Sequence, residues 1–327
     1  MSCSQKKVII IGLGNIGFSY DKELPKNSYV LTHSRAFHLH PNFNIIGGVD
    51  KQLINRNAFH KIYSTNVYTN INEALKDNKP DVVVIATPAE THFQLINEVF
   101  KLFSPEFIVC EKPLGHTLND SKKIISLCKK NNSKIYVNYM RNSSSVVEII
   151  SEKIKNKKII KPYKIIQWYS KGIYNSASHF INLFNDLFGE PKKLKLLSNP
   201  KKVLLNDYDC DFIITYSSCE VFFISCDYQN YFYNSFKLLA KNGMLLYEGG
   251  GEIIKWFPSL ANDLNPNYKI IDTKPIVFDS NFKKIQLDFT NNLYKETTGQ
   301  KANICSGKEA LFTKIIINNI LNLQNEK

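Results

Sequence analysis

"KKVIIIGLGNIG", residues 6–17, decides the fold. Four apolar residues, Val8 to Ile11, read as a buried strand that runs straight into Gly12, Gly14 and Gly17. Their spacing is G-x-G-x-x-G. After a strand, each glycine has a reason to lack a side chain. Gly12 permits the tight turn, Gly14 lets the backbone approach a pyrophosphate, and Gly17 lets the next helix pack against the strand. Asn15 and Ile16 complete the turn, so Gly12, Gly14, Asn15, Ile16 and Gly17 are candidate dinucleotide-binding residues.

Such a turn calls for an acid closing the second strand, where it grips a ribose diol. "FNIIGGVD", residues 43–50, supplies Asp50. It lies farther from the glycines than the ~20 residues usual for the motif. The excess sits in "YDKELPKNSYVLTH", residues 20–33, read as an inserted loop before the helical segment "SRAFHLHP". That loop could cover a cofactor or a substrate. A carboxylate at position 50 repels a 2′-phosphate, which favours NAD. Lys51 beside it pulls the other way and keeps NADP as an alternative. The bland reading of Asp50 is a solvated acid at a strand end. His33, His38 and His40 lack an accompanying Cys or acid cluster, so they read as ordinary helix-surface and helix-end histidines, and no metal is expected.

The alternation continues along the chain. "PDVVVIATPAETHF" is a strand ending in Ala86, Thr87 and Pro88, followed by a helix opened by Pro88 and Glu90 and carrying His92. "EFIVCEKP" is a strand that ends on Glu111 and Lys112, and "TLNDSKKIISLCKK" is an amphipathic helix with a T-x-x-D capping signal. "SKIYVNYM" adds one more strand. Apolar strands alternating with helices mean a doubly wound parallel sheet, an α/β fold that binds ligands at the carboxyl ends of its strands. Gly12, Asp50, Thr87 and Lys112 all fall there.

From about residue 140 the rhythm changes. A helix, "VVEIISEKI", precedes an accumulation of short strands, among them "PYKIIQWYS", "CDFIITYSS", "CEVFFISCDY" and "MLLYEGGGEIIKWF". This pattern marks an α+β domain with a large, open-faced, mostly antiparallel sheet. Two domains are expected: residues 1–139 as the Rossmann domain and 140–327 for substrate binding and oligomerisation. The final helix, "SGKEALFTKIIINNILNLQ", is capped by Ser306 and is expected to pack back on the first domain.

Bulk composition narrows the function. The 327 residues carry a formal net charge of +13, yet Arg35, Arg56 and Arg141 are the only arginines among 42 basic residues. A nucleic-acid surface draws on arginine for bidentate contacts, and scattered lysines instead indicate compositional bias. The hydrophobic fraction of 43% excludes a disordered chain. The seven cysteines, Cys3 among them, show no C-x-x-C or metal spacing and point to a reducing cytoplasm. The apolar run near the N-terminus is too short and glycine-broken for a signal peptide, and no stretch is expected to span a membrane.

"VIIIGLGNIG", "DVVVIATPAETH", "CEKPLGHTLNDSKKI", "VNYMR" and "FNDLFGEP", in this order, resemble the glucose–fructose oxidoreductase / inositol dehydrogenase / rhizopine catabolism (Gfo/Idh/MocA) family. The resemblance covers most of residues 6–191, and its most specific mark is the E-K-P triplet. It implies an NAD(P)-dependent dehydrogenase or reductase acting on sugars, inositols or nucleotide-sugars, assembled as a homodimer or homotetramer through the second sheet. It implies that Glu111 and Lys112 line the nicotinamide crevice and that the Lys112–Pro113 peptide is cis. It places Tyr139 and Arg141 near the substrate. The family's second catalytic element, D-x-x-x-H-x-x-D, aligns with Asn175, His179 and Asn182. His179 matches, but asparagine stands at both aspartate positions. An ionised Asp orients a histidine and stabilises its imidazolium, whereas Asn can only orient it. Asn175, His179, Asn182 and Asp186 nevertheless share one helix face, and the bland reading of that stripe is the wet side of an amphipathic helix. The departure leaves two rivals to a sugar oxidoreductase: a dinucleotide-binding sensor or repressor-like protein without turnover, and an NAD-dependent glycosidase.

Overall fold

The computed structural model describes residues 5–76 and 78–326, so Cys3 lies outside the described residues. The chain divides into two compact units, Met1–Ser143 with Lys283–Phe312, and Ser144–Phe282 with Thr313–Lys327. The sequence led us to expect two contiguous segments meeting at residue 139. Instead the first unit reclaims residues 283–312.

The first unit opens with β1 (Lys6–Ile11), a five-residue π-helical turn (Asn15–Ser19), α1 (His33–Leu39), β2 (Phe43–Val49), α2 (Leu53–Tyr63), β3 (Asn66–Tyr68) and α3 (Ile71–Lys76). It continues with β4 (Val82–Ile85), α4 (Ala89–Leu102), β5 (Phe107–Cys110), α5 (Leu118–Lys130) and β6 (Lys134–Val137). The strands pair in parallel in the order β3-β2-β1-β4-β5-β6, with the chain reversing direction across the sheet at β1/β4. Val8 to Ile11, Val82 to Ile85 and Phe107 to Cys110 are buried throughout, because helices cover both faces. The capping signal acts as expected: Thr117 Oγ1 accepts from Asp120 N at 3.0 Å, and the Asp120 carboxylate accepts from Thr117 N at 3.0 Å.

The second unit holds α6 (Ser145–Lys155), β7 (Tyr163–Ser170), a π-helical turn (Ile173–Ala177), α7 (Ser178–Phe188), β8 (Lys193–Leu196), β9 (Lys201–Leu204) and β10 (Asp207–Asp209). It then adds β11 (Phe212–Thr215), β12 (Cys219–Cys226), β13 (Ser235–Ala240), β14 (Gly243–Glu248), β15 (Ile253–Ala261), β16 (Lys269–Ile271) and β17 (Ile276–Phe278). Nine of these strands make a mixed sheet in the order β16-β15-β14-β13-β7-β12-β11-β8, with β17 beside β15. Only β7 and β12 run parallel within it. Helix α7 lies on one face, where Phe180 and Phe184 meet Phe236, Tyr247 and Phe223 edge to face. Ile166 and Leu239 alternate outward and stay exposed, so the sheet has an open face.

Two helices complete the chain, α8 (Ile285–Thr297) and α9 (Gly307–Asn322). Helix α8 was not read from the sequence. It packs Phe289 and Leu293 into the apolar layer formed by Val8, Ile10, Phe37 and Phe43 of the first unit. Helix α9 begins in the first unit and ends in the second. No helix among the described residues is long and apolar enough to cross a membrane. Cys110, Cys128, Cys210 and Cys219 are buried free thiols.

Candidate active site

The glycine turn is built as tightly as its spacing predicts. Gly12 has a φ of +95°, and a Cβ there would sit 2.7 Å from the carbonyl oxygen of Ala86. A Cβ on Gly17 would collide with the Gly12 carbonyl oxygen. Over Gly14 an added Cβ would meet no atom within 4 Å, which leaves the turn open to a ligand's close approach. The helix expected immediately after the turn is instead the short π-helical turn at Asn15–Ser19, and α1 begins only after the loop at 20–32. Asn15 is exposed, and Ile16 half-buried, on this turn.

Asp50 stands at the end of β2, but its carboxylate is already engaged. Oδ2 accepts from Leu13 N at 2.8 Å and Oδ1 from Gln52 N at 2.7 Å. Each carboxylate oxygen has a second lone pair, so the group can brace the glycine turn and still accept from a diol. Arg56 sits close by, donating to the main-chain oxygens of Asp50 and Lys51 at 2.8 and 2.9 Å. Gly12, Asp50, Thr87 and Pro88 share one cleft of about 420 Å³. Lys51, read in the sequence beside Asp50, lines it too, as do Thr69, Asn70, Thr91 and Gln94, which were missed in the sequence. A cleft with an open glycine turn and a strand-end acid fits the adenosine and pyrophosphate parts of a dinucleotide.

Ala86 continues the sheet, donating its N–H to Ile11 O at 2.8 Å. Thr87 and Thr91 pair their hydroxyls at 2.8 Å, and Pro88 caps α4. His92 is fully buried, and its ring spans two loops. Its Nε2 lies 2.8 Å from Thr87 O, while Nδ1 lies 3.2 Å from both Leu114 O and the Cys110 sulfur. Burial lowers the His92 pKa, with the hydrogen bonds to the Thr87 and Leu114 carbonyls opposing it. The residue fixes the loops that follow β4 and β5.

The next strand end carries the E-K-P triplet. The Lys112–Pro113 peptide is cis. Glu111 has only 12% of its side chain exposed and sits in a network of side-chain donors. Its Oε1 receives Asn138 Nδ2 at 2.6 Å and faces His33 Nε2 at 2.8 Å, while Oε2 accepts from Lys112 N at 3.3 Å. Burial alone would raise the Glu111 pKa. The His33 hydrogen bond, the charge of that ring when protonated, the Asn138 amide and the Lys112 ammonium together reverse this and hold it below the usual carboxylate range. His33 was read as a helix-end histidine of no consequence. It is completely buried, because the loop at 20–32 carries it inward to the end of β5. Tyr139 and Arg141, expected near a substrate, are both buried just beyond β6.

Asn175, His179 and Asn182 belong to the second unit. Asn175 lies in the π-helical turn, and its N–H donates to Asp207 Oδ2 at 2.8 Å. His179 and Asn182 are buried, and only Asp186 of the four-residue stripe is exposed. The stripe is therefore not the wet face of an amphipathic helix. Asn182 Nδ2 donates to Thr313 Oγ1 at 3.1 Å. Among the described residues no group of His, Cys, Asp or Glu could hold a metal ion.

A glycine turn, a strand-end acid and polar loops at one edge of a parallel sheet define a dinucleotide-binding domain. Residues 6–139 match the family model of Gfo/Idh/MocA, described as an oxidoreductase family with an NAD-binding Rossmann fold. An uncharacterized oxidoreductase of Schizosaccharomyces pombe is 26% identical over 164 residues, 44% of this chain and 44% of that protein. The alignment thus spans less than half the length of that curated relative. Solved structures match over nearly the whole chain. The WlbA dehydrogenase of Bordetella pertussis, in complex with NADH and UDP-GlcNAcA, has a TM-score of 0.74 at 14% identity and covers 98% of this chain and 97% of its own. UDP-N-acetylglucosamine 3-dehydrogenase of Acidithiobacillus ferrooxidans gives 0.73 at 10% identity, covering 97% of each chain. An oxidoreductase of Agrobacterium radiobacter, solved with NAD+, L-tartaric acid and magnesium, gives 0.73 at 14% identity, covering 97% of this chain and 96% of its own. At such identities the likeness is one of fold.

Proposed function

We propose that this protein is an NAD-dependent oxidoreductase that moves a hydride between nicotinamide and a ring carbon of a sugar, inositol or nucleotide-sugar. The observation that carries the reading is the end of β5. A nearly buried carboxylate, held below its ordinary pKa, is followed directly by a lysine and a cis proline in the sheet that also holds the glycine turn. When bound, nicotinamide supplies the hydride acceptor or donor. The chain's own residues then bind, orient and handle one proton. Gly12, Gly14, Asn15, Ile16 and Gly17 receive the pyrophosphate, Asp50 the ribose diol, and Ala86, Thr87 and Pro88 flank the dinucleotide. Lys112 Nζ gives or takes the proton of the reacting hydroxyl, with Glu111 as the fixed negative charge beside it. His179 is the second proton-handling group, oriented by Asn175, and Tyr139, Arg141 and Asn182 are the proposed substrate neighbours. The open face of the nine-stranded sheet is the proposed contact between copies in a homodimer or homotetramer.

One observation favours a second reading. Asparagine at position 175 gives His179 no carboxylate at the family's aspartate position, as a sensor without turnover would tolerate. A nicotinamide-absorbance screen over free sugars, inositols and nucleotide-linked sugars separates the two. Cofactor reduction or oxidation with a member of the panel supports the enzyme. NADH binding without turnover on any of them supports the sensor.

A further inference from the structure

We infer that His33 is a positioning residue for the end of β5, and that the inserted loop at 20–32 serves to seat it against Glu111. The inference rests on the reading of Glu111 and Lys112 as the reacting end of the site. It assigns the loop a place in the reaction site instead of a role as a cover.

The loop is anchored from inside. Asp21 is fully buried and accepts from Leu31 N at 2.7 Å, Thr32 N at 3.0 Å and Thr32 Oγ1 at 2.9 Å. Arg35 lies 3.5 Å from the same carboxylate and donates to Leu24 O and Tyr29 O, both at 3.1 Å. Two main-chain bonds tie the loop's end to the start of α8, Val30 N to Lys283 O at 2.7 Å and Gln286 N to Val30 O at 3.3 Å. Removing a buried ion pair's partner is costly, so a loop built this way holds one conformation.

The anchored loop delivers His33 into a closed set of four side chains whose donor directions follow from one another. An ionised carboxylate only accepts, so Asn138 Nδ2 must donate to Glu111 Oε1 at 2.6 Å. Its second hydrogen goes to Gln286 Oε1 at 3.1 Å. That turns Gln286 Nε2 toward His33 Nδ1 at 3.0 Å, where the ring nitrogen accepts. The hydrogen of a neutral ring is then on Nε2, which donates to Glu111 Oε1 at 2.8 Å. Phe289 closes the far side of the ring, edge to face at 6.3 Å between centroids. Both donors converge on Oε1 and leave Oε2 on the side of Lys112 N. The charged or titratable groups around Glu111 are His33 from α1, Lys112 next in the chain, His92 from α4 and Cys110 from β5.

The test reads Glu111 directly. Carbon-13 NMR of protein labelled at the glutamate carboxyls gives its titration midpoint, with the resonance assigned through Glu111→Gln. In the wild type the midpoint is expected below the ordinary glutamate range. His33→Leu removes the donor and should move it upward, whereas His33→Gln, which can present an N–H at similar reach, should restore most of the difference. If His33→Leu does not fold, Gln286→Leu takes its place and should also raise the midpoint. An unchanged midpoint in His33→Leu, or in Gln286→Leu where that variant is used, overturns the inference, as does an equal rise in His33→Gln. Once a substrate is in hand, His33→Leu should lower kcat by up to ~10²-fold with little change in NADH affinity. Failure of the underlying reading looks different: Lys112→Met would keep its turnover while Glu111 still titrated as described.

Discussion

Each unit takes carboxylates largely out of solvent, and the two treat them in opposite ways. In the first, Glu111 is surrounded by side-chain donors and a cation, and its pKa is held down despite burial. In the second, the β9–β10 hairpin presents acids to main-chain donors. Asp207 accepts from Tyr174 N at 2.9 Å, Asn175 N at 2.8 Å and Tyr208 N at 2.8 Å, and Asp209 accepts from Gly172 N at 2.9 Å. Burial raises the Asp209 pKa, the Gly172 amide opposes this, and the neighbouring Asp207, Asp227 and Asp211 add to the rise. Side-chain donors set the charge and direction of one carboxylate. Main-chain donors instead use carboxylates to hold the turn that leads into α7. The first arrangement is suited to tuning chemistry and the second to fixing a backbone.

The largest expected effect is chemical. Lys112→Met should cut turnover by ~10²–10⁴-fold, the usual loss for a positioned acid–base group. NADH affinity, measured by calorimetry, should hardly change, because the glycine turn and Asp50 lie on other strand ends. Next comes stability in the second unit. Asp207→Ala leaves three main-chain donors without their carboxylate and should cost ~3 kcal/mol, read as a fall in denaturation midpoint. If that variant is as stable as the wild type, the hairpin is not what holds the turn before His179.

A smaller effect sharpens the contrast through pH. Glu111's folded pKa is depressed, so its contribution to stability is present above the unfolded value and lost as pH falls through the folded one. Asp209's is raised, so its ionised form opposes folding, and the penalty grows as pH rises past the unfolded value. Asp209→Asn should therefore melt higher than wild type at neutral pH and lose that advantage toward acid. Glu111→Gln should show the reverse. Parallel melting curves for both variants would contradict the assignment. Smallest is the cofactor preference. Wild type should bind NADH more tightly than NADPH, and Asp50→Ala should narrow the difference only in part, because Lys51 and Arg56 already stand beside the site.

Much of the first unit was legible because its signals are local. A four-residue apolar strand before three spaced glycines, and a strand closing on Glu-Lys-Pro, each fix a turn within a dozen residues. The capping pair Thr117 and Asp120 is likewise local. His33 was illegible because its partner is Glu111, 78 residues away, and a lone histidine at a helix start carries no sign of what it will face. Helix α8 did leave a signal: Ile285, Phe289 and Leu293 recur every four residues, and all three are buried. The aspartates of β10 were hidden because the amides that Asp207 binds at Tyr174 and Asn175 lie more than 30 residues away, and a three-residue strand has no periodicity to read. For α7, composition pointed to a wet stripe, yet His179 and Asn182 are inside. Polar residue type marks what needs a partner, not whether that partner is water.

On the proposed function, the reacting end of the cofactor sits over the end of β5. The most direct measurement is the structure of the protein crystallised with NADH. The adenosine is expected in the cleft lined by Asp50 and Thr87, with nicotinamide C4 within ~7 Å of Lys112 Nζ, about two contact distances and so room for one substrate hydroxyl between them. A nicotinamide ring placed away from Glu111 and Lys112 would contradict it.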